Sequence, residues 1–174
     1  MTTGAPDPND GRGAWLWEVY KNPYVWLLTL MAFCSGAGGN VFNTFFGEFL
    51  EDKGESLETA GQLLLLIGIL AGVSSVVWGK MSDRLGRGRA FGLSFGIQGL
   101  GFVLLWFSPV FVAFVIASTL LGLTMRAAFT LCAAGSGDRV PVRFAAAAFG
   151  LISIGANLGS IVSPPLAGAV ADGA

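Results

Sequence analysis

Histidine is absent from all 174 residues, and charge is scarce, with Asp, Glu, Lys and Arg making up 12% of the chain. Without histidine the commonest proton shuttle and metal ligand is missing. No Asp or Glu stands deep inside a long apolar run and no HExxH pattern occurs, so general acid-base or metal chemistry has no residues to use. The sequence therefore predicts a chain that is not an enzyme and carries neither cofactor nor metal. The two cysteines, Cys34 and Cys132, both fall inside apolar runs, where a lone thiol behaves as a small hydrophobe, and no disulfide is assigned to them. A net charge of -1 gives no sign of a nucleic-acid partner.

What the chain has in abundance is apolar surface. Hydrophobic residues make up 53% and mean hydropathy is +0.68, whereas ordinary soluble domains are about 25% charged. Crossing a hydrocarbon core of roughly 30 Å takes about 20 helical residues, and five blocks approach or pass that length: 25–46, 60–78, 90–107, 110–134 and 144–170. The blocks are too continuously apolar for barrel strands, so the expectation is an all-α polytopic membrane protein in a lipid bilayer. Residues 1–23 read as a tail and amphipathic lead-in, and 24–174 as a transmembrane bundle. The first 22 residues, with Pro6, Asp7, Pro8, Asp10 and Gly11, lack the apolar middle of a signal peptide, and the tail before Trp15 is expected to be disordered.

Basic residues near span ends mark the cytoplasmic side. Arg12 and Lys21 precede the first block, Lys80, Arg84, Arg87 and Arg89 follow the second, and Arg139 and Arg143 follow the fourth. The opposite face receives Glu48, Glu51, Asp52, Glu55 and Glu58, with Lys53 its single base, and the turn at Ser108 and Pro109. The amino terminus is thus expected in the cytoplasm and Ala174 outside, consistent with a multi-pass protein of a bacterial inner membrane.

Between the second and third blocks runs Gly79-Lys80-Met81-Ser82-Asp83-Arg84-Leu85-Gly86-Arg87-Gly88-Arg89. Gly79, Asp83, Arg84, Gly86, Arg87 and Arg89 resemble the cytoplasmic loop signature of the major facilitator superfamily, and Gly88 departs from it, a basic residue being commoner there. Small Gly79 allows helices to approach, Gly86 a tight turn, and Asp83 can pair with Arg84 or Arg87 or cap a helix. Trp15 to Pro23 looks like the segment that precedes the seventh helix of such proteins, and Ser163-Pro164-Pro165-Leu166-Ala167-Gly168 like the end of their eleventh. The resemblance implies the carboxyl-terminal half of a secondary transporter, five helices of a six-helix half bundle. It also implies alternating access for a small solute and a complementary six-helix half or a second copy as partner.

Helical spacing sorts the remaining small and polar residues into faces. Gly68, Gly72, Ser75 and Gly79, then Gly92, Gly96 and Gly99, then Gly155 and Gly159, read as surfaces for close helix packing. Gly36, Asn40, Asn43 and Gly47 form a polar stripe on the first helix, and Ser153, Asn157, Ser160 and Pro164 one on the fifth. Asn40, Asn43, Arg126 and Asn157 are accordingly the candidate substrate-binding residues, with bonding between helices as the structural alternative for each amide. Gln62 and Gln98 are weaker candidates. Arg126, the single charge well inside a block, either snorkels or pairs with Asp138, or faces a cavity and attracts an anion. The substrate is not legible. A non-transporting membrane interaction module that associates through glycine-rich faces is the competing function.

Overall fold

The computed structural model describes residues 19–107 and 110–172. The tail before Trp15, the opening of the lead-in at 15–18 and the Ser108–Pro109 turn lie outside the described residues. The elements are α1 (Pro23–Asp52), α2 (Leu57–Leu85), α3 (Arg87–Phe107), α4 (Phe111–Met125), α5 (Ala127–Gly135), a 3-10 turn (Val142–Phe144) and α6 (Ala145–Asp172). No strand occurs among the described residues, so the class is all-α as expected. Five helical stretches are long and apolar enough to cross a membrane, α4 and α5 together forming the fourth.

The helices run past their apolar blocks because local chemistry sets their ends. Before α1, the Asn22 side chain accepts the Tyr24 N–H at 3.0 Å, and Pro23 takes a position where no N–H is needed. Ser56 accepts the Thr59 N–H at 3.1 Å at the start of α2, with Glu58 in the first turn. Gly86 alone separates α2 from α3, at φ 83° and ψ 153°. That backbone region is open essentially to glycine and costs about 1–3 kcal/mol with a side chain, so the loop motif needs its second glycine.

The most extensive helix contact is between α1 and α6. A side chain at Gly159 would overlap the Phe33 carbonyl, one at Gly36 the Ala156 carbonyl, and a Cβ at Gly155 would lie 2.6 Å from Thr29 Cγ2. Close approach lets polar groups bridge the helices. Ser160 Oγ donates to the Gly36 carbonyl at 3.1 Å, and Ser163 Oγ to the Ala37 carbonyl at 3.0 Å. Asn40 Nδ2 donates in the other direction, to the Ser160 carbonyl. In a regular helix that carbonyl accepts from the residue four places on, which is Pro164 and has no N–H. Asn40 therefore supplies the donor that Pro164 lacks.

Around the other side, α4 packs on α2 and α3. Gly122 makes the α2 contact close, a Cβ there falling 2.9 Å from Leu70 Cβ. Two expected packing stripes are corrected: Gly68 and Gly72 of α2, and Gly92, Gly96 and Gly99 of α3, meet open space. Spacing tells which residues share a face and leaves open what the face meets. Two apolar clusters hold the bundle, one at the basic end around Leu28, Phe91, Leu131 and Ile152, the other toward the acidic end around Phe46, Leu63, Phe114 and Leu121. The outward faces carry side chains such as Leu65, Trp106 and Ile161, an apolar surface suited to hydrocarbon.

The fourth span is not the single helix the apolar block implies. It breaks at Arg126, φ −91° and ψ −7°, without proline or glycine at the break. Two side chains of α2 explain it. Ser74 Oγ and Trp78 Nε1 both donate to the Leu123 carbonyl, at 2.7 and 2.6 Å, the acceptor that residue 127 would use in an unbroken ladder. Thr124 Oγ1 also bonds back to the Leu120 carbonyl at 2.8 Å, a pattern that bends helices.

The Asn40–Pro164 compensation has a measurable signature. Asn40→Ala is expected to destabilise the protein by about 1 kcal/mol, since it leaves the Ser160 carbonyl without its donor. In a Pro164→Ala background the restored N–H at that position takes the carbonyl, and the cost of Asn40→Ala shrinks. Thermal unfolding of the four proteins in detergent measures both costs; equal costs in the two backgrounds would refute the compensation.

Candidate functional site

At the basic end, Arg87 is the organising side chain. Its Nε donates to Asp138 Oδ2 at 3.0 Å and its Nη1 to Ser82 Oγ at 2.6 Å, with Asp83 Oδ1 at 3.4 Å and the Ala134 carbonyl 3.4 Å from Nη2. The loop motif is thereby tied to the end of α5. Asp83 pairs with Arg87 and not with Arg84, and only loosely, its side chain being 74% exposed. Arg84 and Arg89 are exposed and make no ion pair among the described residues, while a Cβ at Gly79 would lie 4.0 Å from Thr130 Cγ2. Asn22 Nδ2 donates to the Arg139 carbonyl at 2.8 Å, and the Arg139 guanidinium lies over the Tyr24 ring. The start of α1 and the segments after α2 and α5 thus share one end of the bundle. Exposed ion pairs are worth about 0–1 kcal/mol, so this network fixes geometry more than it adds stability.

Midway along the bundle, between the two apolar clusters, the polar residues converge. A groove of about 330 Å³ is lined by α1, the α4–α5 break and α6, and Asn40, Asn43, Arg126 and Asn157 all line it. A second recess of about 680 Å³, on the α2 side, shares Asn43, Arg126, Met125 and Phe129. Gly68 and Gly72 line that recess, which is why they meet no helix. Such volumes lie within the range of small-molecule sites.

Each polar side chain has a defined state. Asn40 commits one N–H to the Ser160 carbonyl, and Asn157 commits one to the Ser153 carbonyl of its own helix at 2.8 Å. Asn43 and Arg126 are exposed to the groove. Arg126 does not pair with Asp138, whose carboxylate is held by Arg87, and it makes no ion pair with any described residue. Gln62 and Gln98 line neither space; Gln62 reaches Glu58 instead. Ser35, Met125 and Phe129 were not foreseen as lining residues. Ser35, Gly39 and Asn43 do stand at i, i+4 and i+8, a signal the sequence offers for the first of them.

A third cleft of about 530 Å³ lies between α1 and α3 at the acidic end, walled by Phe42, Phe45, Phe46, Phe102 and Trp106. Its lining side chains are apolar or aromatic, so nothing there orients a polar solute. No group of three potential metal ligands comes together among the described residues.

A family model described as the Major Facilitator Superfamily matches residues 28–174. An uncharacterized MFS-type transporter of Bacillus subtilis (strain 168), YwfA, is 28% identical over 115 residues, which cover 66% of this chain and 28% of that protein. The chain thus spans little more than a quarter of the relative it matches. Five apolar membrane-crossing helices, the loop signature on a single-glycine turn and the match over nearly all of the bundle lead to one conclusion: the chain is an integral, multi-pass membrane protein and belongs to the Major Facilitator Superfamily.

Proposed function

We propose that this chain forms the carboxyl-terminal half of a secondary transporter, moving a small solute by alternating access, and that the mid-bundle groove is its share of the solute site. The observation that carries the reading is the convergence of Asn40, Asn43, Arg126 and Asn157 on one groove between two apolar clusters. A polar recess at that depth is costly in lipid unless a partner or water fills it. A complementary six-helix half, or a second copy, closes the open side; the exposed Gly68 and Gly72 leave room for it or for the solute. Asn40 and Asn157 hold a polar group through the hydrogen-bonding capacity that their helix contacts leave uncommitted. Arg87 latches the end carrying the loop signature to the end of α5, and its release accompanies the rocking of the bundle.

The basic end faces the cytoplasm of a bacterial inner membrane, because eight of the ten basic residues lie in the segments assigned to it. A non-transporting interaction module is the second reading, and the Gly92, Gly96 and Gly99 stripe, which meets open space, favours it.

Two labelling experiments test these readings. With Cys34→Ala as background, a cysteine at Ser56 is expected to react with an impermeant thiol reagent added outside intact cells and one at the exposed Gly88 to remain protected; the reverse pattern overturns the topology. A cysteine at Asn157 is expected to react with an aqueous methanethiosulfonate in membranes at a rate within about tenfold of the Ser56 site, as water-lined positions do. If it stays inert while Ser56 reacts, the groove is dry and the interaction module is the better account.

A further inference from the structure

The charge balance of the groove narrows what it can hold. Arg126 is the single ionisable side chain lining either recess, and no carboxylate lies within ion-pair reach of it among the described residues. Seven carboxylates among the described residues stand elsewhere: Glu48, Glu51, Asp52, Glu55 and Glu58 gather around the α1–α2 connection, while Asp83 and Asp138 face Arg87 at the opposite end. A guanidinium is permanently charged and costly to hold without a counter-ion inside a bundle.

Arg126 also has no evident escape to the interface. Gly135, at the end of α5, stands nine positions on, about 14 Å along the axis at 1.5 Å per residue. Apart from Met125 and Phe129, the residues that share its recesses belong to α1, α2 and α6, and none of them is charged. The break in the fourth span fixes the position: Ser74 and Trp78 take the Leu123 carbonyl, and the chain leaves helical register at Arg126 itself. Asn40, Asn43 and Asn157 line the same groove, and their amides offer further donors beyond the N–H groups that Asn40 and Asn157 commit to carbonyls.

Resting on the reading of the groove as a solute site, we propose that it selects an anionic, water-soluble solute whose carboxylate, phosphate or sulfonate is the missing counter-ion of Arg126. The guanidinium forks around two oxygens of such a group, and the neighbouring amides take its remaining acceptors or its polar body. Ser74 and Trp78 act as positioning residues, holding the backbone break that presents Arg126 to the groove.

The experiment reads the sign of the charge directly. In the full chain with Cys34→Ala, reconstituted in phosphatidylcholine nanodiscs, Asn43→Cys is treated in parallel with the anionic sulfonatoethyl methanethiosulfonate and the cationic trimethylammonioethyl reagent. The ratio of the two rates cancels any effect of thiol acidity. Normalised to the same ratio at an exposed Ser56→Cys, it is expected to favour the anionic reagent by roughly tenfold, to collapse toward unity with Arg126→Gln, and to return with Arg126→Lys. Far-UV circular dichroism and gel filtration confirm that each variant is folded. If both reagents react and the ratio ignores Arg126→Gln, the anion assignment is wrong while the groove stands as a solute path. If neither reacts, the groove itself is not a solute site, and the assignment falls with it. Loss of the anion preference on moving the same protein from phosphatidylcholine to phosphatidylglycerol nanodiscs assigns the guanidinium to a lipid phosphate and overturns the soluble-anion proposal.

Discussion

A backbone carbonyl that has lost its amide partner is expensive inside hydrocarbon, and at two such carbonyls in the middle of this bundle a side chain of another helix supplies the donor. Pro164 deprives the Ser160 carbonyl of its donor, and the break at Arg126 frees the carbonyl of Leu123. Each is met by side chains from another helix, Asn40 in the first case and Ser74 with Trp78 in the second. These pairings tie α1 to α6 and α2 to α4, the two broadest interfaces of those helices. The first lines the groove, and the second lies just before Met125 and Arg126, which line it.

Glycine makes the first pairing possible. The Asn40 amide can reach the Ser160 carbonyl because Gly36, Gly155 and Gly159 bring the two backbones together, and any side chain at these positions would push them apart. In lipid, where apolar surface gives helices little reason to associate, such close backbone contact and the hydrogen bonds it permits supply much of the cohesion. The glycines of α2 and α3 that meet open space serve a different end. They thin the wall of a recess or leave a surface free.

Charge is segregated with the same economy. Basic residues gather at one end, where Arg87 links the α2–α3 turn to Asp138, and carboxylates dominate the other. Arg126 lies between the two ends, at the break of the fourth span. An irregular backbone within a membrane bundle is tolerated where it lines a cavity, and Arg126 lines both recesses at that break.

The all-α class and the membrane-crossing lengths follow from the sequence alone, because runs of about 20 apolar residues leave the backbone no solution in hydrocarbon except helices. Gly86 was legible as a tight turn, but the sequence placed it in a loop over 79–89, and the structure reduces the link between the two helices to that residue at positive φ. Periodicity also put Asn40 and Asn43 on one stripe of α1 and Asn157 on one of α6, and all three line the groove. Tertiary structure decided which faces meet. It turned Gly68 toward a recess and Gly159 against a carbonyl, gave Asp138 to Arg87 and left Arg126 to the groove. The break at Arg126 was invisible in the local sequence, which holds neither proline nor glycine there. Its cause lies about fifty residues away, in two donors on α2 that reach the Leu123 carbonyl only once the helices have packed.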